Sequence, residues 1–362
     1  MRELLQRWID RAESRGAQLL AGLPRHVQRS LVGKPIRIDG QELDPDLQLV
    51  LTLRKLLGSP SLSSAPPNRA RARYARDMRL HRGPQIDVGP VRDLVVEGLP
   101  ARHYAPMDPR PQPLLLFFHG GGFVVGDLET HDLPCRLICC AANVHVLAIA
   151  YRLSPEAPFP AAIDDARNAL RWAFAHAHEL GASDRIVVGG DSAGANLSAV
   201  VSQLAARDGG PAPCLQVLFY PPLDRTVVRP SLELFANGFL LTRADIDWYQ
   251  AQYTGQIPGA EKDPRVSPLL ARDLSGLPPA IIATAGFDPL RDEGEAYAEA
   301  LQRAGTPCEL RQLPGQLHGF LNLVGVAQSS RAAAITVAQQ IRAALDARSA
   351  PPRPAATGSP TG

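Results

Sequence analysis

One stretch of the sequence, Arg185 to Asn196 (R-I-V-V-G-G-D-S-A-G-A-N), constrains the fold more than any other. Its three β-branched residues predict a short buried strand, two glycines interrupt it, and the residues from Ala193 to Ala206 are typical of a helix. Ser192 therefore occupies the pattern G-x-S-x-G between a strand and a helix, which is the arrangement of a nucleophile elbow. Glycines suit such a sharp turn because they have no Cβ to clash with nearby backbone. The pattern alone is also compatible with a plain turn whose serine caps the helix.

The composition excludes several classes of protein. The chain has 362 residues, of which 45% are hydrophobic and 20% charged, so it can form a sizeable core as one large domain or two. A net charge of +2 gives no reason to expect a nucleic-acid partner. The five cysteines show neither disulfide nor metal-site spacing, and we therefore predict no metal and no cofactor. The N-terminus is charged throughout and no apolar run has the length of a membrane span, which predicts a cytoplasmic protein.

From residue 90 onward, apolar runs alternate with helical patterns, and this alternation predicts an α/β fold with a doubly wound, mostly parallel sheet. The predicted strands are 91–97, 101–105, 114–118, 145–151, 186–188, 214–220, 280–285 and 308–313. A tight turn is expected at Gly98-Leu99-Pro100. The main predicted helices are 161–180, 193–206, 291–304 and 327–347.

Two regions do not fit this alternation. The N-terminal segment 1–82 contains predicted helices over 1–22 and 46–57, a linker over 59–68 and a stretch over 69–82 with six arginines and one aspartate. We interpret the basic stretch as a solvated helix face, and association with anionic lipid or an acidic partner stays open. Residues 223–265 form an insertion above the sheet, since about sixty residues are too many for a βα loop. The predicted units are 1–82, 83–222, 223–265, 266–348 and a disordered tail, 349–362.

A serine nucleophile needs a base, and the base needs an orienting acid. In proteins with this elbow, the acid and then the histidine follow the serine along the chain. Of the nine histidines, only His318 follows Ser192, so it is the only candidate base in this order. It lies in a loop after the strand 308–313, at the sheet edge where the elbow also lies.

Asp288 is the preferred acid because it follows directly after the strand 280–285, with Gly286-Phe287 between them. The alternative is that Asp288 only caps the next helix. Three other carboxylates compete for the role, but they lie inside that helix and are expected to point away: Asp292, Glu293 and Glu295.

A glycine-rich loop, His119-Gly120-Gly121-Gly122-Phe123, follows the strand 114–118. Its glycines leave backbone N–H groups free to approach a developing negative charge, which is the task of an oxyanion hole. The expected donors are the amides of Gly121, Gly122 and Ala193. Taken alone, this segment has an alternative interpretation as a flexible loop without a catalytic role.

Four ordered motifs together resemble the hormone-sensitive-lipase-like (family IV) esterases and lipases of the α/β-hydrolase superfamily. They are H-G-G-G-F, the segment Tyr151 to Asp165 (Y-R-L-S-P-E-A-P-F-P-A-A-I-D-D), G-D-S-A-G, and D-P-L-R-D-E-G with H-G-F, and the similarity covers about residues 90–345. The resemblance implies an eight-stranded sheet, a helical cap formed by residues 1–82 and 223–265, hydrolysis of short- to medium-chain esters, and no metal. Ala195 departs from the family, which usually has glycine there.

The expected reaction is attack by Ser192 on an ester carbonyl, with His318 as base and Asp288 as its orienting acid. An arylformamidase or amidase with the same residues is an alternative, and a non-catalytic binding protein on this fold is another. The expected partner is a small ester substrate, and a homodimer stays open. An apolar substrate pocket is predicted from five side chains, and the alternative for each of them is packing in the core or the cap: Phe123, Phe239, Leu240, Trp248 and Tyr249.

Overall fold

The apolar runs of the sequence form the centre of one eight-stranded sheet in the computed structural model, which describes residues 16, 19 and 22–347. A two-stranded hairpin, β1–β2, precedes this sheet. The strands are β1 (Arg37–Ile38), β2 (Gln41–Glu42), β3 (Val91–Val96), β4 (Leu99–Tyr104), β5 (Leu114–Phe118), β6 (His145–Ile149), β7 (Ile186–Asp191), β8 (Leu215–Phe219), β9 (Ala280–Phe287) and β10 (Cys308–Leu317).

Ten α-helices lie within the described residues, with short 3-10 turns between some of them. They are α1 (Arg25–Val32), α2 (Pro45–Leu56), α3 (Pro67–Leu80), α4 (Asp132–Ala142), α5 (Ala161–His176), α6 (Ala193–Asp208), α7 (Pro230–Leu234), α8 (Arg243–Tyr253), α9 (Arg291–Arg303) and α10 (Gln328–Ala347). None of these described helices is long and apolar enough to cross a bilayer.

The strand order in the large sheet is β10-β9-β8-β7-β5-β6-β4-β3. All neighbouring pairs from β10 to β6 are parallel, and only β3 and β4 add antiparallel pairs at one edge. The prediction of a doubly wound, mostly parallel sheet of eight strands is therefore confirmed. Phe118 pairs with both Ile149 and Gly190, so three central strands end at the same edge.

Both faces of the sheet are covered, which explains why its strands are continuous apolar runs rather than alternating ones. Along β5, Leu115 and Phe117 pack on one side with α4 and α10. The alternate residues of β5 pack on the other side with α5 and α6. The hydrophobic core thus lies on both sides of the sheet. The loops at the carboxyl edge of the sheet lie outside this core.

The N-terminal helices and the insertion are joined to each other and to this framework by polar contacts. Asp46 at the start of α2 accepts hydrogen bonds from the Ser329 backbone N–H at 2.8 Å and the Ser329 hydroxyl at 2.6 Å. Ser61, before a 3-10 turn, donates its hydroxyl to Asp245 of α8. The predicted linker 59–68 is therefore ordered by specific contacts between the N-terminal region and the insertion.

Other differences from the sequence predictions concern the ends of elements. The turn between β3 and β4 lies at Glu97-Gly98, both with positive φ, because Leu99 already pairs with Val96. The helix predicted over 161–180 ends at His176, and a separate 3-10 turn follows. Almost all of the predicted helix 1–22, and the whole tail 349–362, lie outside the described residues.

Candidate active site

Ser192 lies at the sharp turn between β7 and α6, in a strained backbone conformation with φ 51° and ψ −119°. Its backbone N–H donates to the carbonyl of Phe219 over 2.9 Å, which fixes the turn to the neighbouring strand. A Cβ on Gly190 or on Gly194 would collide with the backbone carbonyl of Phe118. The two glycines of the motif are thus required for the close approach of α6 to β5.

The strand ends bring His318 and Asp288 to Ser192. The Nε2 atom of His318 lies 3.0 Å from the Ser192 hydroxyl oxygen, and Nδ1 lies 2.8 Å from Oδ2 of Asp288. Because a carboxylate only accepts, Nδ1–H donates to Asp288, and Nε2 is left to accept from the serine hydroxyl. Asp288 is fully buried. This is the geometry in which an imidazole can take a proton from a serine.

Asp288 also fulfils its alternative role, since its Oδ1 accepts from the Leu290 backbone N–H over 2.8 Å. One carboxylate thus orients the histidine and fixes the turn into α9. The competing carboxylates have other partners: Asp292 accepts from the Ser231 N–H, and Glu293 from the N–H groups that follow β8. Glu295 accepts from the side chain of Gln312 on β10.

The glycine-rich loop presents backbone donors beside the serine. Gly121 has φ 114° and Gly122 has φ 61°, and the Gly121 carbonyl accepts from two N–H groups of the following turn. Among the described residues, the N–H groups of Gly121, Gly122 and Ala193 have no protein acceptor. Three donors without partners next to a serine hydroxyl can stabilise an oxyanion.

A buried network joins the three segments that carry this geometry. The Asp191 carboxylate accepts from the Gly120 N–H over 2.8 Å and lies 3.3 Å from Nε2 of His131. The same Nε2 lies 3.2 Å from the amide nitrogen of Asn322, which follows His318 by one turn. Burial would raise the pKa of Asp191, but His131 and the Gly120 N–H outweigh it and hold the pKa below its usual value.

The side chain of His119 stabilises the glycine-rich loop. Its Nδ1–H donates to the Gly120 carbonyl over 2.7 Å, and its ring stacks on Tyr151, whose hydroxyl donates to the His119 carbonyl. Burial lowers the pKa of His119 to about 4, so the imidazole is neutral near pH 7. Within the part of the chain that is described, no group of three or more histidine, cysteine or carboxylate side chains is arranged to hold a metal ion.

A cavity of about 1300 Å³, its open mouth included, lies above Ser192. Phe123, Leu240 and Tyr249 line it, together with polar side chains from α2 and α3. The other two predicted pocket residues do not line this cavity. Phe239 packs against Phe235 and Phe287, and Trp248 packs in a small cluster beneath α3 with Ala70, Val124 and Val125.

The sequence interpretation did not single out the Asp191–His131–Asn322 network or the cavity residues of α2 and α3. A signal for the latter existed, because Tyr74, Met78 and His81 recur at the spacing of one helix face. No local sequence pattern predicts the Asp191–His131–Asn322 network, because its members are far apart in sequence.

Comparisons with known proteins identify the family of this fold. A family described as "alpha/beta hydrolase fold" matches residues 115–322. The chain is 49% identical over 342 residues to Carboxylic ester hydrolase LipN of Mycobacterium tuberculosis, which covers 91% of each chain. It is 39% identical to Ethyl acetate hydrolase of Pseudomonas putida, over 67% of this chain and 78% of that relative.

Solved structures give the same result. An ester hydrolase from the metagenome of Lake Arreo, in complex with a bipyridine phosphonate derivative, has a TM-score of 0.78 and 36% sequence identity. The match covers 84% of this chain and 99% of that protein, so the similarity extends beyond the sheet into part of the N-terminal segment.

Proposed function

We propose, from the fact that this chain belongs to the hormone-sensitive-lipase-like branch of the α/β-hydrolase family, that it is a serine carboxylesterase. The membership, which confirms the family prediction, rests on a family match over more than half of the chain and on a relative of 49% identity. The names of the relatives support hydrolysis of carboxylic esters, and the residues that carry the reaction are our assignment.

The single observation that carries the assignment is the chain of hydrogen bonds from Asp288 through His318 to Ser192, with distances of 2.8 and 3.0 Å. A serine hydroxyl has almost no nucleophilicity at neutral pH unless a base removes its proton as it attacks. Here the base is held on one side by a buried carboxylate and contacts the hydroxyl on the other. This arrangement supports acyl transfer better than ligand binding alone.

In the mechanism we propose, the Ser192 oxygen attacks the ester carbonyl carbon while Nε2 of His318 takes its proton. Asp288 holds the tautomer and stabilises the imidazolium. The carbonyl oxygen becomes an oxyanion that accepts from the N–H groups of Gly121, Gly122 and Ala193. His318 then protonates the leaving alcohol, and in the second half it activates water to release the acid and regenerate the serine.

The substrates we propose are small esters with short to medium acyl chains. The cavity above Ser192 has a volume of about 1300 Å³ and is partly lined by apolar side chains such as Phe123 and Leu240. We further propose that the helices of segment 1–82 and of the insertion 223–265 act as a cap over it. The contact of Ser61 with Asp245 and the shared cavity wall support that role. The reaction as written needs no cofactor.

The test is the substitution Ser192→Ala, assayed with p-nitrophenyl acetate and with a fluorophosphonate probe that labels nucleophilic serines. We expect turnover to fall by a factor on the order of 10⁶ and the labelling to disappear. Ser202→Ala is the matched control, since this serine lies on the same helix and donates only to the Ser198 carbonyl.

Full activity of Ser192→Ala would contradict the proposal, and so would labelling of another residue. Matched ester and amide substrates separate an esterase from an amidase with the same residues. A kcat/KM that is higher for the amide would transfer the assignment to the amidase.

A further inference from the structure

The cavity above Ser192 has one polar corner that the proposed reaction does not use. It is formed by Arg54 on α2, Asp77 on α3 and His81 directly after α3. Nη1 of Arg54 donates to Oδ2 of Asp77 over 3.3 Å, and the two side chains are 29% and 27% exposed. We call these three residues the polar corner.

The polar corner has unused hydrogen-bonding capacity. A guanidinium group has five N–H donors, and within the described residues the contact with Asp77 is the one hydrogen bond of the Arg54 side chain. Asp77 likewise accepts one bond there. Nδ1 of His81 is buried without a partner in the described chain. Buried polar groups that the fold leaves unpaired are expected to meet solvent or a ligand.

The charge of the polar corner limits which ligand group fits. Arg54 and Asp77 compensate each other, and burial lowers the pKa of His81 to about 4, so the imidazole is neutral near pH 7. A carboxylate would be attracted by Arg54 but repelled by Asp77. An ammonium group would be attracted by Asp77 but repelled by Arg54. An alkyl end would displace water and leave the donors unpaired.

We propose that the polar corner is a substrate subsite for an uncharged, oxygen-bearing group, a hydroxyl or a keto group, at the end of the substrate remote from the ester. Such an oxygen accepts from Arg54, and a hydroxyl can also donate to Asp77. The inference rests on the proposed function, because it names the substrate class of the same site. The remote end belongs either to the acyl chain or to the alcohol.

The experiment measures kcat/KM for two panels of esters over a series of chain lengths. In the first panel, p-nitrophenyl esters carry acyl chains that end in a methyl, a hydroxyl or a carboxylate group. In the second, acetates are made from alkanols and from the matching diols, with acid release followed by titration. We expect the hydroxyl end to be preferred about three- to tenfold over the methyl end in one panel, which also identifies the part of the substrate that reaches the polar corner.

Two variants test whether the polar corner causes this preference. Arg54→Met combined with Asp77→Leu removes both charges together, so neither is left unpaired, and His81→Leu removes the imidazole. The ratio of hydroxyl to methyl substrate should fall towards one in the double variant, and it should fall less in His81→Leu, which keeps Arg54 and Asp77. Arg79→Met is the matched control on α3, because this arginine is exposed and does not line the cavity, and it should leave the ratio unchanged.

Equal or better turnover of methyl-ended esters in both panels would overturn the subsite, and so would a preference that survives in both variants. A preference for the carboxylate end would overturn the uncharged class. The same comparison is made by binding, with ketones that replace the ester in Ser192→Ala, and this readout needs no turnover. An inactive wild-type protein that still binds the hydroxyl ketone more tightly would refute the esterase and keep the subsite.

Discussion

The floor and the roof of the cavity are held together by different kinds of contact. The floor consists of the elbow, the glycine-rich loop and the loop of His318, and its carboxylates Asp191 and Asp288 are buried to 2% and 0% exposure. The roof consists of α2, α3 and α8, and its ion pair Arg54–Asp77 is more than a quarter exposed. Buried hydrogen bonds tolerate little change, whereas exposed pairs tolerate much more. We infer that the floor determines the chemistry and the roof determines which ester is accepted.

After Ser192→Ala, the largest effect in the floor is expected for Asp288→Asn. The two oxygens of Asp288 accept from two different donors, the Leu290 N–H and Nδ1–H of His318, whereas an amide has one oxygen and one NH2 group. With the NH2 group facing His318, the histidine loses its tautomer and orientation, and kcat should fall by a factor on the order of 10⁴. Steady-state kinetics with p-nitrophenyl acetate measures this. Asp292→Asn is the control, since its carboxylate binds the Ser231 N–H. A larger loss in the control would assign the acid to Asp292.

The next effect concerns stability. Asp191→Ala leaves the Gly120 N–H and His131 without their buried acceptor, and it should lower the free energy of unfolding by about 3–5 kcal/mol. Urea denaturation measures it. Asp208→Ala at the end of α6 breaks an exposed pair with Arg167 and should cost less than about 1 kcal/mol. Equal losses in the two variants would remove the distinction between floor and surface contacts.

Two glycine substitutions probe the boundary between floor and roof. A Cβ on Gly121 would collide with the Val125 backbone, whereas one on Gly122 would meet the ring of Tyr249 in the roof. Because a side chain can move more easily than backbone, Gly121→Ala should lose about 100-fold in kcat, and Gly122→Ala should lose less. Adding Tyr249→Ala should recover activity only in Gly122→Ala. Recovery in both variants would mean that the two glycines meet the same obstacle.

Acid should weaken the floor through His119. Its pKa in the folded protein is about 4, below the ordinary value of 6.5, so the unfolded chain takes up the proton first as the pH falls. The stabilisation is complete above pH 6.5 and is lost towards pH 4, which amounts to about 1 kcal/mol between pH 7.5 and 5.5. Melting temperatures across this range measure it. His119→Gln should reduce the dependence by this amount, while His81 and His103, whose pKa burial likewise lowers to about 4, keep their own contributions. An unchanged slope would exclude His119 as a source.

The smallest effect is expected where the roof is joined to the floor. Arg71 of α3 donates to the carbonyls of Val124 and Ser154 over 2.8 Å each, and it pairs with Glu156. Val124 and Ser154 are buried, but the Arg71 side chain is 29% exposed, so water can replace it as a donor and Arg71→Met should cost only about 1 kcal/mol of stability. It should change KM more than kcat, since it loosens the roof alone. A tenfold loss in kcat with unchanged KM would place Arg71 with the floor.

More of the floor than of the roof could be predicted from the sequence, for a physical reason. Strands buried on both faces must be apolar runs, and a turn as tight as that at Ser192 needs glycine, so both leave local patterns. Asp288 and His318 were predicted to lie beside Ser192 because parallel strands end at one edge, and the structure brings the three side chains together. Asp191 was not identified, because nothing local distinguishes a buried aspartate from an exposed one.

The roof depends on contacts between distant segments. Ser61 and Asp245 meet across more than 180 residues, and no pattern near either one predicts that contact. The arginines of α3 were interpreted as a solvated face, which overlooked the cavity-lining side chains Tyr74, Asp77 and Met78 on the same helix. Phe239 and Trp248 have the apolar character of pocket residues but pack elsewhere. The type of a residue alone does not predict which way its side chain points.

The backbone of Ser192 limits which nucleophiles this scaffold could ever adopt. At φ 51° a side chain branched at Cβ is crowded against its own peptide group. Threonine is therefore an unsuitable replacement although it offers the same hydroxyl. Cysteine has the same unbranched shape, so this exchange would replace the hydroxyl of the proposed nucleophile with a thiol without rebuilding the turn.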